Sequence, residues 1–286
     1  MGEDRAVSED RAMGEASSRV AVVTGAGRGL GRGVAIALAR RGHPIVGVAR
    51  DAAQLAETAD LVRAAGGRML SRPTDVADPD AVESLAGFVR EQLGAPAILV
   101  NAAGVFGPIA LIRDSDPRAW VQTVMIDGIA PYLTIRQFLG DMIDGRWGRI
   151  VNVTSAASLH PPGPLNSAYA TAKVALNQLT RHLAAEIAGT GVTANVIHPG
   201  DVKTDMWRDI RDRVAVMGPE AEPYRQWAAW VEETGGDPPQ KAVDLVLRLT
   251  SDDGADVNGQ FCWVDEPLQA PIPSWGEPAE AQPWRK

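Results

Sequence analysis

Val20-Ala21-Val22-Val23-Thr24-Gly25-Ala26-Gly27-Arg28-Gly29-Leu30-Gly31 is the stretch that decides the fold. Its first five residues form a nearly unbroken apolar, β-branched run, the pattern of a strand covered on both faces. Glycines follow at once, and beyond them Val34, Ala35, Leu38 and Ala39 recur at helical spacing. Glycines in a strand-to-helix turn let the backbone bend sharply and approach a ligand closely, while the first helical turn offers unbonded N–H groups and a positive dipole end. Gly25, Gly27, Arg28, Gly29, Leu30 and Gly31 are therefore candidate pyrophosphate contacts. A turn needing glycine only for its dihedrals would look similar; the strand before and the helix after favour the phosphate.

Outward from this turn the same rhythm repeats. Apolar runs at 44–49, 68–71, 97–101, 149–154, 193–198 and 260–264 alternate with helical patterns, one of them opened by the N-cap pair Asp78-Pro79. This predicts an α/β fold, a Rossmann-like doubly wound parallel sheet of about seven strands with helices on both faces, over residues 19–265. Between Thr204 and Gln240 the rhythm breaks into a tryptophan-rich, charge-mixed stretch, expected to be a substrate-lid insertion. Residues 1–18 read as a disordered tail, neither secretory leader nor transit peptide. Residues 266–286, with five prolines, read as a tail that cannot continue a helix or a central strand.

Composition excludes several classes. A net charge of −8 over 286 residues argues against nucleic acid, and no apolar run approaches membrane-spanning length. The single cysteine, Cys262, rules out an intramolecular disulfide, and the four histidines lack metal-site spacing, so no metal is expected. A cytoplasmic setting fits.

The chemistry is concentrated after the fifth strand. Tyr169 and Lys173 stand four apart in a helical pattern and so share one face. An ammonium beside a phenol favours the phenolate, bringing a weak acid toward useful proton exchange with a carbonyl or alcohol oxygen. A surface Tyr/Lys pair is the bland alternative; Ser155, shortly before it in Asn152-Val153-Thr154-Ser155, tips the balance.

Taken in order, five sets of residues resemble the short-chain dehydrogenase/reductase family: the Thr24-Gly-x3-Gly-x-Gly turn, Asp75, Asn101-Ala102-Ala103-Gly104, Ser155 with Tyr169-x3-Lys173, and Pro199-Gly200-Asp201-Val202-Lys203-Thr204. The resemblance implies a nicotinamide enzyme acting on a carbonyl or secondary alcohol, with Tyr169 as acid/base. It further implies that Ser155 steadies the reacting oxygen and that Lys173 also holds the nicotinamide ribose. Asp75 and Val76 would line the adenine. Asn101, Ala102, Ala103 and Gly104 would line the ribose and nicotinamide, and Pro199, Gly200, Val202 and Thr204 the carboxamide and pyrophosphate. Ala157, His160, Met206 and Trp207 are the candidate substrate contacts, and a homotetramer or homodimer is implied. One residue departs from the pattern: counting from Trp120, the place of the family's asparagine, which helps hold a water by the lysine, is taken by Asp127. Either the carboxylate holds that water equally well or the proton relay differs.

Arg28 and Arg50 are placed to meet a 2′-phosphate, and Ala49 stands where NAD enzymes carry an aspartate, so NADP(H) is the expected cofactor. Asp51 would reverse this if the register slipped by one residue. Two rival readings stand beside the ketoreductase: a non-catalytic NADP-binding regulator, which has no use for Ser155, Tyr169 and Lys173 together, and an epimerase or dehydratase relative, whose glycine spacing differs.

Overall fold

The computed structural model describes residues 18–159 and 163–265. His160, residues 1–17 and the whole expected C-terminal tail lie outside them.

Seven strands form one parallel sheet: β1 (Val20–Thr24), β2 (Ile45–Ala49), β3 (Met69–Pro73), β4 (Pro96–Asn101), β5 (Gly148–Val153), β6 (Val192–His198) and β7 (Phe261–Trp263), in the order β3-β2-β1-β4-β5-β6-β7. Because side chains alternate along a strand, β1 feeds two cores at once. Ala21 and Val23 pack with Ile98, Val100, Val151 and Ile197 on one face, while Val20 and Val22 pack with Val46, Leu99 and Ile150 on the other. Every residue of β1 is buried, which is why its sequence shows no polar alternation.

The first face is covered by helices α1 (Gly29–Arg40) and α2 (Ala52–Ala64), and the second by α3 (Pro79–Leu93), α5 (Ala130–Asp144) and α6 (Ser167–Glu186), with α4 (Pro117–Val124) packed against α6. Asp78 caps α3 by accepting from the N–H groups of Asp80 and Ala81, as its sequence implied. The stretch after Thr204 folds into α7 (Asp205–Val214) and α8 (Glu222–Thr234), followed by α9 (Pro239–Leu249), which returns to the first face.

The α7–α8 pair has a small core of its own. Ile210, Val214 and Ala221 pack with Ile109 and Leu165, joined by Phe106, Met206, Tyr224 and Trp227. It is tied to the body where Arg213 donates to the Gly107 carbonyl at 3.0 Å and Val202 forms an antiparallel bridge with Gly236. Trp227 faces inward and donates its indole N–H to Asp201 at 3.0 Å, whereas Trp230 is half-exposed. Among the described residues no helix is long and apolar enough to cross a membrane.

Candidate active site

The strand order reverses between β1 and β4, and in doubly wound sheets ligands settle past the carboxyl ends of the strands at such a point. A cavity of about 1340 Å3 opens there. Common small-molecule pockets run to roughly 1,000 Å3, so this one has room for a dinucleotide and a second molecule together.

One end of the cavity is the glycine turn. Gly25 has φ +69°, and a Cβ there would stand 2.7 Å from the Ala102 carbonyl oxygen; one on Gly31 would stand 2.3 Å from the Gly25 oxygen. Side chains are thus excluded where the turn packs against β4 and the start of α1. Residues that sequence reasoning missed hold the turn in place. Thr58 donates to the Ala26 carbonyl at 2.9 Å, Arg32 donates to that of Gly27 at 2.6 Å, and the Thr24 hydroxyl accepts from the N–H groups of both Ala102 and Ala103 at 3.1 Å. Gly27, Arg28, Gly29, Leu30, Asp75, Val76, Ala102, Ala103 and Gly104 all line the cavity, as do Pro199, Gly200, Val202 and Thr204.

Asn101 does not. Its side chain is buried in the layer beneath the sheet, donating to Asn152 at 2.9 Å and accepting from Thr134 at 2.8 Å. Strand alternation turns the last residue of β4 away from the cavity that its successors line.

Arg50 is exposed on the cavity wall and has no partner among the described residues. Arg28 has a loose, solvent-exposed pairing with Asp205 at 3.4 Å. Asp51 also lines the cavity; its Oδ1 accepts from the N–H groups of Ala53 and Gln54 as the N-cap of α2. Ala49, ending β2, adds no charge.

At the other end Ser155, Tyr169 and Lys173 meet on one wall. The turn carrying Ser155 is built from below. Thr154, 1 % exposed, donates to Asn177, whose amide donates to Ser158, whose hydroxyl donates back to the Ser155 carbonyl. Thr154 is thereby a buried support, and Ser155 is the serine at the cavity. His198 accepts from the Ala156 N–H at 3.2 Å and braces the same turn.

Lys173 is almost fully buried. Its ammonium donates to the Val153 carbonyl at 3.0 Å, lies 3.1 Å from Asp127 Oδ2 and stands 5.4 Å from the centre of the Tyr169 ring. Asp127 does not sit in a plain helix: the five residues Met125–Ile129 form a π-helical turn between α4 and α5, a local widening often found at functional sites. The Asp127 side chain is wholly buried, its Oδ1 accepts from the Val105 N–H at 2.8 Å, and a Cβ on Gly104 would come within 3.0 Å of Oδ2. Gly104 thus makes room for a carboxylate as well as lining the cavity. Oδ2 receives no well-aligned hydrogen bond, so the contact with Lys173 is an ion pair of close charges.

The electrostatics follow from these distances. Burial works against the Lys173 ammonium, but the charges of Asp127 and Tyr169 outweigh it and hold the lysine pKa above its ordinary value. Burial pushes Asp127 upward against the pull of Lys173 and the Val105 N–H. Tyr169 is raised above an ordinary tyrosine: burial is the largest cause, Lys173 opposes it, Asp127 adds to it, and the Ser155 hydroxyl pulls it down again. The carboxylate therefore offsets the lysine's field at the phenol, and a neutral Tyr169 O–H is a proton donor first.

The end of the cavity beneath α7 and α8 is apolar. Phe106, Met206, Ile210, Tyr224 and Trp227 border the cavity there, with Ala157 on the side of the Ser155 turn. Phe106 and Tyr224 carried no motif and were missed. Trp207 also lines the cavity but is only 2 % exposed, with the cations of Lys203 and Arg211 both over its ring.

A family model described as short chain dehydrogenase matches residues 19–215. A short chain dehydrogenase of Pseudocercospora fijiensis is 32% identical over 224 residues, covering 77% of this chain and 72% of the relative. The 3-oxoacyl-acyl-carrier-protein reductase of Escherichia coli is 31% identical over 250 residues, covering 86% and 96%. Among solved structures, a variant actinorhodin polyketide ketoreductase with NADPH superposes with a TM-score of 0.79 at 28% identity, covering 86% of this chain and 95% of that one.

Proposed function

The chain belongs to the short-chain dehydrogenase family and is an oxidoreductase; from that premise we propose that it is an NADP(H)-dependent ketoreductase acting on bulky apolar or aromatic carbonyl compounds. The observation that carries this reading is the convergence of Ser155, Tyr169 and Lys173 on one wall of a cavity whose far end is the glycine turn.

The residues present fit a nicotinamide dinucleotide: the cradle at Gly25 and Gly31 admits no side chain, the first turn of α1 faces it, and Arg28 and Arg50 are the cations beside it. Arg50, without a partner among the described residues, suits a 2′-phosphate, while Asp51, which also borders the cavity, spends its Oδ1 on capping α2. When bound, the cofactor supplies the hydride. Tyr169 gives its proton to the carbonyl oxygen and Ser155 steadies that oxygen by a hydrogen bond. Lys173 stabilises the phenolate left on Tyr169 and reaches the ribose side. Asp127 holds the ammonium in place while damping its field. The apolar wall under the lid receives the rest of the substrate.

The family resemblance supports a homodimer or homotetramer, as do the exposed apolar side chains Val121, Tyr132 and Val174 on α4, α5 and α6. The lone buried thiol of Cys262 suits a cytoplasmic setting. The test is loss of NADPH absorbance with a panel of aryl and cyclic ketones. Tyr169→Phe is expected to lower kcat about a hundred- to ten-thousand-fold while NADPH binding persists. Equal turnover by both forms overturns the assignment.

A further inference from the structure

A second phenol faces the cavity and has no part in the chemistry above. Tyr224, near the start of α8, meets the Phe106 ring edge-on with centroids 6.0 Å apart, and Phe106 leans against Tyr169 at 4.9 Å. The three rings form a continuous wall from the acid/base phenol up to the lid. Tyr224 is half-buried among apolar neighbours, Met206, Ile210 and Trp227, and its hydroxyl makes no hydrogen bond among the described residues. Burial, then the neighbouring Tyr169, push its pKa up, so it remains a neutral O–H wherever the enzyme works. A hydroxyl in an apolar wall forfeits a hydrogen bond unless something in the cavity accepts from it.

We infer that Tyr224 is a specificity-determining residue that donates a hydrogen bond to a second oxygen of the substrate, selecting ring-bearing ketones with an acceptor away from the reacting carbonyl. The ring would lie against Phe106, whose face and edge contacts suit an aromatic or flat alicyclic body. A site built around a donor discriminates against a ligand that leaves it unpaired, whereas a purely apolar pocket discriminates weakly. This inference rests on the ketoreductase reading, and its test separates the two.

The NADPH complex of the Tyr169→Phe enzyme, which turns ligand over at least about a hundredfold more slowly, is titrated with tetralone and with its ring-methoxy isomers. The same titration is made with Tyr224→Phe added, and KM and kcat for the same ketones are measured with Tyr169 intact. With Tyr224 present, at least one methoxy isomer binds about two- to tenfold tighter than tetralone, the range of one neutral hydrogen bond. With Tyr224→Phe that ratio falls toward one, and the loss appears in KM rather than kcat. A preference that survives Tyr224→Phe, or no preference and no binding at all, overturns the inference. Binding that discriminates in an enzyme reducing none of these ketones overturns the ketoreductase reading and leaves Tyr224 as the selecting residue.

Discussion

Replacing Asp127 by asparagine keeps the size of the side chain and the oxygen that accepts from Val105, and removes one buried negative charge. Because the Lys173 ammonium lies 5.4 Å from the Tyr169 ring centre and 3.1 Å from Oδ2, the carboxylate is at most about 8.5 Å from the ring. At an effective dielectric of about 20, a unit charge at that distance opposes a phenolate by about 2 kcal/mol. At about 1.4 kcal/mol per pH unit, the expected displacement is on the order of one unit. The sign is set by the charge. Asp127 and burial both raise the tyrosine above its ordinary value, so deleting the carboxylate lowers it and makes the phenolate easier to form. Lys173 keeps its hydrogen bond to the Val153 carbonyl, and the displacement requires it to stay charged without Asp127, the largest influence holding its pKa up against burial. Alcohol oxidation needs the phenolate, so the native enzyme is expected to oxidise only at alkaline pH, and Asp127→Asn to move that limb toward neutral pH. The assay is the pH dependence of kcat for NADP-linked alcohol oxidation on both forms, with circular dichroism to show that both are folded. A limb that stays put or moves to higher pH refutes the reasoning and leaves Asp127 a mere holder of Lys173.

Arg50→Ala is expected to weaken NADPH about ten- to a hundredfold, the loss of a charge-assisted contact, and to change NADH binding little; paired titrations check it, and equal affinities unaffected by the substitution would count against NADP(H). Trp207→Ala removes a buried anchor of the lid and is expected to cost about 3–5 kcal/mol of stability, seen as a lower Tm, together with a raised KM for bulky ketones. Unchanged Tm and KM would mean that the lid does not depend on it.

Much of this molecule was legible before folding because its signals are local. Strand β1 reads as buried on both faces because every one of its residues is, and the glycines after it mark a turn where a single Cβ would collide with backbone. Tyr169 and Lys173 share a helix face by spacing alone. What the chain order could not decide are relations between distant segments. Asn101 carries a motif residue yet turns into the layer beneath the sheet, because strand alternation and the partners Asn152 and Thr134 claim it. Trp207 borders the cavity, yet it is almost fully buried and two cations lie over its ring. The π turn that carries Asp127 to the lysine has the residue pattern of an ordinary helix, and only its packing against α6 distinguishes it. Phe106 and Tyr224, more than a hundred positions apart, become one wall only when the lid folds down over the loop after β4. The sequence by itself determined the parallel sheet, the glycine turn and the pairing of Tyr169 with Lys173 on one helix face, since each is written in neighbouring side chains. The tertiary structure decided the field around Tyr169 and the shape of the substrate wall, since both arise from side chains that meet only through space.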